Sequence, residues 1–236
     1  FLRAENQTDY IFNNKINITA GAGIINEGVK STRYEVSSDR KLNTISYLFA
    51  QVEIKPTERF TLITGLRYDN NQLFAAAFSP KLAVMYKAGK KLKLNASIGR
   101  GFKAPDFRQL YLSFTNTAAG SYSVFGTLEA QTQIERLKQL GQIQSFESDY
   151  YKLKDLKPEF STGINFSAQY TFNKKLNTSI NVFRNDIENL IDTRLVAVYN
   201  NGAQIFSYLN VKNAYTQGVE TELNYKLNSH FSVAGS

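Results

Sequence analysis

Apolar and polar side chains alternate with period two through nearly every ordered-looking stretch of this chain, the pattern of β-strands with two unlike faces. The alternation predicts strands near residues 6–12, 16–27, 44–54, 59–68, 79–87, 92–102, 160–172, 176–190 and 205–227, then a stub from Phe231 to the end. The strand over 205–227 is long enough to need a bend or bulge, for which Gly218 is the natural place. Tight connections at Asn13–Lys15, Lys55–Glu58, Ala88–Lys91, Asn173–Lys175 and Asn228–His230 alternate with longer ones at about 28–43, 69–78, 103–159 and 191–204. In an antiparallel up-and-down arrangement, alternate connections lie at opposite ends. All the tight turns therefore share one end and all the long loops the other.

The two faces differ in kind. One parity carries Leu48, Ala50, Val52, Ile54, then Leu62, Leu66, Leu82, Val84, Leu94, Ile98, and later Ile164, Phe166, Ile180, Val182, Val219 and Leu223. The other carries Gln51, Glu53, Arg67, Lys93, Asn95, Asn165, Gln169, Asn181, Glu220 and Glu222. An apolar face, a polar face and sorted loops together predict an all-β, antiparallel up-and-down transmembrane β-barrel segment of about nine strands and a stub. Hydrocarbon would cover its outside, and Arg67, Glu220 and Glu222 would face the lumen. Most of the segments reach the ~9–11 residues that a tilted strand needs to cross a bilayer. The competing architecture is a soluble β-sandwich, an adhesin or glycan-binding domain, in which Leu62, Leu94 and Phe166 would be buried between sheets.

On this reading, residues 1–236 are part of one barrel domain and 103–159 form its long extracellular loop. Within the loop, Thr127 is placed to cap a short helix from Leu128 to Leu140, with Glu129 in the first turn and Gly141 as its stop. Leu128, Ile134, Leu137 and Leu140 give that helix a partial apolar stripe. The loop is rich in tyrosine, phenylalanine and cations, and aromatics beside arginine make good binding anchors. Arg108, Tyr111, Tyr122 and Tyr151 are the candidate ligand-binding residues.

Composition narrows the chemistry. The chain has no cysteine, which excludes disulfides, thiolate metal sites and cysteine nucleophiles. Its single histidine, His230, falls in a tight turn at the end away from the long loop, which argues against hydrolysis. No metal site, cofactor or catalytic residue is assigned. Lys and Arg exceed Asp and Glu by 28 to 20, a net +8, but the positive charge is dispersed and forms no nucleic-acid-binding run. No signal peptide opens the chain, and its first residues read like the middle of something.

Five short segments resemble, in order, those of TonB-dependent outer-membrane receptors. Gly65-Leu66-Arg67-Tyr68-Asp69 is similar to that family's GLRYD strand, and Ser79-Pro80-Lys81-Leu82 to its SPR strand. Gly101-Phe102-Lys103-Ala104-Pro105, followed by Leu110-Tyr111, resembles its FRAP…LY stretch with Lys for Arg. Leu153-Lys154-Asp155-Leu156-Lys157-Pro158-Glu159 resembles the stretch that re-enters the barrel after an extracellular loop, without its Asn-Pro portion. Gly218-Val219-Glu220-Thr221-Glu222 resembles its GVE strand. The resemblance implies a 22-stranded barrel with an N-terminal plug, of which this chain would supply only part. It further implies a Gram-negative outer-membrane protein that actively imports a scarce nutrient: a ferric siderophore, haem, cobalamin or a glycan. The implied partners are outer-membrane lipid and lipopolysaccharide, the transported ligand, the protein's own plug, and TonB reached through missing segments. Arg67 and Glu220 would then pair with polar groups of the plug.

Overall fold

A computed structural model describes residues 1–33, 40–118, 121–211 and 213–235. The middle of the connection expected at 28–43 and the final residue of the expected stub lie outside these. The chain opens with six long strands: β1 (Leu2–Asn13), β2 (Ile16–Val29), β3 (Lys41–Thr57), β4 (Phe60–Asn71), β5 (Ala77–Ala88) and β6 (Leu92–Lys103). A long excursion follows, with α1 (Phe107–Tyr111), β7 (Ser113–Asn116), β8 (Tyr122–Phe125), α2 (Thr127–Gln139), β9 (Ile143–Phe146) and a 3₁₀ turn at Tyr150–Lys152. Long strands resume as β10 (Glu159–Asn173) and β11 (Leu176–Glu188). A second excursion carries β12 (Ile191–Tyr199) and β13 (Gln204–Asn210), and the chain finishes with β14 (Ala214–Lys226) and β15 (Ser232–Gly235).

The long strands build one ten-stranded sheet in the order β1-β2-β3-β4-β5-β6-β10-β11-β14-β15, a wall in which every neighbouring pair is antiparallel. Its register keeps the predicted apolar parity on a single face. Leu48 lies opposite Tyr68, Leu82 opposite Ile98, Ile98 opposite Ile164, Phe166 opposite Val182, and Val182 opposite Val219. These side chains are not covered by other described parts of the chain: Leu48 is 59% and Val219 63% exposed. The sandwich expectation is therefore not met for Phe166, which is half exposed.

Aromatic side chains bound the apolar band on both sides. Toward the long connections stand Tyr68 and Phe78, with ring centroids 4.9 Å apart, and Phe102 and Phe160, 6.4 Å apart. Toward the tight turns stand Phe60 and Tyr86, paired in register, and Tyr170 with Phe172, 4.8 Å apart. From Phe160 to Tyr170 is about 33 Å along the strand, or about 25 Å along an axis from which strands tilt by ~40°.

Three of the tight turns share one device. Asn13, Asn173 and Asn228 each accept, at the side-chain oxygen, backbone N–H bonds from the residues two and three positions ahead, at 2.8–3.1 Å. That local bond makes the turn without a long linker. The turn between β5 and β6 instead uses Gly89 at φ +84°.

The excursions fold together. Their five strands form a second sheet in the order β7-β8-β13-β12-β9, in which β8 and β13 run parallel. Here the structure corrects four sequence expectations. Residues 191–204 are not merely a loop but belong to the β12–β13 hairpin. The single strand expected over 205–227 is two, parted between Asn210 and Ala214, and Gly218 sits in regular pairing opposite Phe183, whose ring lies over it. The connection expected at 69–78 is only 72–76, because β4 and β5 extend into it. The helix is present, but Gly126 rather than Thr127 caps it, and the Thr127 hydroxyl donates to the Tyr208 carbonyl at 2.8 Å. A Cβ on residue 126 would collide with the backbone of Leu110 and Tyr111, which requires glycine there. Gly141, at φ +66°, stops the helix as expected. On α2 the inward residues are Ala130, Ile134 and Leu137, whereas Leu128 and Leu140 are exposed. Ala130 and Ile134 pack with Phe125, Val196, Ala197, Ile205 and Leu209 into the core of this cap.

Candidate functional site

The recognisable motifs meet at the junction of wall and cap. Lys103 ends β6, Glu159 begins β10, and the two lie opposite each other in register. The Lys103 ammonium donates to Glu159 Oε2 at 3.2 Å, while Glu159 Oε1 accepts the Ile191 N–H at 2.7 Å. One carboxylate thus closes the first excursion and anchors the start of the second. Asn210 completes the junction. Its Nδ2 donates to the carbonyls of Lys157 and Asn189 at 2.9 and 2.7 Å, and its Oδ1 accepts the Lys157 N–H at 2.7 Å.

On the polar face of the wall, β1 to β4 carry a linked set of groups. Arg67 makes a bidentate contact with Asp69, with donor–acceptor distances of 2.6–3.0 Å, and its guanidinium lies 3.9 Å from the Tyr47 ring centroid. The Tyr47 hydroxyl donates to Glu5, which also accepts from Arg3 at 2.7 Å. Tyr47 lies directly across Gly23, where any side chain would strike its ring. Asp69 is 3% exposed at its side chain, so its charge is compensated by the fork of Arg67. Glu220 accepts from Asn181 Nδ2 at 3.1 Å and Glu222 from Asn224 Nδ2 at 2.8 Å, on the same face of β14. Arg67, Glu220 and Glu222 thus share the polar face that their parity predicts.

The four loop candidates do not converge. Arg108 is exposed on α1, and half-buried Tyr111 lines a 260 Å³ hollow with Phe74 and Leu156. The Lys41 ammonium stands 5.0 Å from the Tyr111 ring centroid. Tyr122, edge-on to Phe114 and Phe206, borders a separate 540 Å³ cavity. Tyr151 is 77% exposed and lines a third cavity, of 740 Å³, with Lys152, Lys154, Arg194 and Asn210.

This third cavity is the most cationic of the three. Lys152 pairs with Asp149 at 2.6 Å and Arg194 with Asp192 at 3.5 Å; both acids are outnumbered locally once Lys154 is included. Tyr151 stacks edge-on against Tyr150, 5.3 Å between centroids. Burial raises the Tyr150 phenol above its ordinary value, and the charges of Glu135 and Tyr151 push the same way, so it remains a neutral ring behind the exposed one. Arg194 escaped the sequence reading because it comes from the second excursion; only the β12–β13 hairpin brings it beside Lys152 and Lys154.

A family model described as TonB dependent receptor-like, beta-barrel, matches residues 3–236. The chain is 26% identical over 182 residues to the ferrienterobactin receptor of Escherichia coli, covering 75% of this chain and 21% of that one. It is 28% identical over 193 residues to the ferric enterobactin receptor of Pseudomonas aeruginosa, covering 76% and 23%. Among solved structures, the siderophore receptor PirA from Pseudomonas aeruginosa superposes with a TM-score of 0.79 at 20% identity, over 98% of this chain and 40% of that one. The chain thus spans less than a quarter of the length of the two enterobactin receptors.

Proposed function

The chain belongs to the TonB-dependent receptor β-barrel family, and from that premise we propose that it forms part of the wall and outer loops of a receptor importing a ferric siderophore across a Gram-negative outer membrane. The observation that carries the proposal is the wall itself: an uncovered apolar band about 25 Å tall between aromatic belts, backed by a polar face. A sheet edge cannot remain unpaired in lipid, so the wall calls for further strands to close it. Arg100 and Arg184, on the outward face near the belt at the long-loop end, pair with Glu188 at 3.5 Å and Asp186 at 2.7 Å, so a lipid or lipopolysaccharide phosphate would share or displace those carboxylates. The polar face, with Arg67, Glu220 and Glu222, would meet a plug whose movement is driven through TonB.

A ferric catecholate is a planar-ringed, multiply anionic complex. The cavity holding Tyr151, Lys152, Lys154 and Arg194 offers it charge-assisted hydrogen bonds and ring contacts, with Arg108, Tyr111 and Tyr122 as outlying capture points. The family is one of transport receptors, and no bond-making step is assigned to the chain. The test is uptake of radiolabelled iron as ferric enterobactin by the intact receptor containing this chain, in a strain stripped of its own siderophore receptors. TonB-dependent uptake is expected, and Arg194→Ala with Lys154→Ala should weaken ligand binding about tenfold. Correct insertion in the outer membrane without uptake of any ferric siderophore would overturn the reading.

A further inference from the structure

The 540 Å³ cavity beside Tyr122 has a chemistry opposite to that of its cationic neighbour. It is lined from β7 and β8, the end of α2, and the turn that follows β12, and among the described residues none that lines it is charged. At the chain's 20% charge, a lining of this size would ordinarily hold about two charged groups. Hydroxyls and carboxamides take their place.

The hydroxyls are already ordered. Ser123, fully buried, bridges Thr115 at 2.9 Å and the Tyr199 hydroxyl at 2.8 Å, which fixes the floor of the cavity. Three of the four carboxamides, those of Asn116, Asn200 and Asn201, are held by one end. Asn116 accepts the Ala118 N–H at 3.1 Å, Asn201 accepts the Ala203 N–H at 3.0 Å, and Asn200 donates to the Gly141 carbonyl at 2.5 Å. A carboxamide pinned at one end presents its other end in a fixed direction: Nδ2 donors from Asn116 and Asn201, an Oδ1 acceptor from Asn200. Tyr122 adds an aromatic surface at the rim, held edge-on by Phe114 and Phe206.

Fixed neutral donors and acceptors beside an aromatic ring match a ligand whose own groups both donate and accept, carry no charge and sit on an apolar carbon frame. A neutral carbohydrate has those properties. An anionic ferric complex does not, because the cavity offers no cation to compensate its desolvation. The geometry points to a carbohydrate-binding site on the cap, between β7–β8 and the turn at residues 200–203, separate from the cationic cavity and independent of the transport reading. The sugar can come from lipopolysaccharide around the receptor or from a free glycan.

The test uses the detergent-solubilised receptor containing this chain, an array of neutral and acidic glycans, and saturation-transfer NMR. Binding to neutral oligosaccharides is expected, weakened about five- to tenfold by Gln142→Ala or Thr117→Ala, whose side chains are exposed at the cavity and whose loss leaves the floor intact. Asn200→Ala should weaken it similarly, and Lys154→Ala, on the other cavity, should retain it. Complete lipopolysaccharide binding where a rough form lacking outer-core sugars fails identifies a lipid-linked source; free oligosaccharide binding equally in the absence of lipopolysaccharide identifies a free one. Failure of every neutral glycan and of complete lipopolysaccharide, binding of acidic glycans alone, or indifference to all three cavity variants overturns the assignment.

Discussion

The wall and the cap are stabilised in contrasting ways. Of the thirteen buried apolar residues among the described part of the chain, only Tyr47 and Ala77 lie in the wall, and the other eleven belong to the two excursions. The cap packs its five strands and two helices around two buried clusters, α2 on the one with Ile134, Val196 and Ile205 and α1 on the one with Leu110, Leu156, Ile191 and Tyr208, as a water-soluble domain does. The wall is a single sheet whose apolar face has no partner among the described residues, so its backbone ladders hold it together and its side chains depend on a surrounding apolar medium. The same sequence thus contains one region organised around an interior and another organised around its solvent.

Emptying the cap core should separate the two most sharply. Ile205→Ala is expected to cost about 2–5 kcal/mol and to release the cap to proteolysis and hydrogen exchange while wall amides stay protected. Equal loss of protection in both would break the comparison. Charging the wall's outer face comes next. Phe166→Arg should cost about 2–4 kcal/mol in lipid vesicles, and the adjacent Ser167→Arg less than about 1 kcal/mol because it faces the polar side. Urea unfolding in vesicles measures both. Gly23→Ala should displace the Tyr47 ring and break its bond to Glu5 at a cost of about 1–3 kcal/mol, with little further loss when Tyr47→Phe is added.

The smallest effect lies in alkaline titration of the cap. Tyr150 favours its neutral form in the folded state, so its contribution is intact below the ordinary phenol range and is lost as pH rises through the raised value. Ultraviolet absorbance at the tyrosinate band should show a late-ionising phenol that Tyr150→Phe removes and Tyr151→Phe leaves.

The wall was legible in the sequence because one face of each strand is read by a single medium, and period two then survives over ten or more residues. The parity of Leu48, Phe166 and Val219 puts Arg67, Glu220 and Glu222 on the opposite face of the sheet. The cap was not legible in the same way. Its strands are as short as four residues, and β8 pairs in parallel with β13 across some eighty residues, a partnership no local pattern encodes. Alternation also runs on from β13 toward β14, which hid the break where Asn210 turns its side chain onto Lys157 and Asn189. The two larger cavities escaped for the same reason, each being assembled from both excursions.

The strand order of the cap also bears on how such a protein can change over generations. β12 and β13 from the second excursion lie between β8 and β9 from the first, so neither excursion can be traded alone without leaving its neighbours unpaired. Recombination that grafts a new outer surface onto this scaffold must carry both segments at once, with the residues that receive Glu159 and Asn210. The pair is a single heritable cassette written in two separated stretches of sequence.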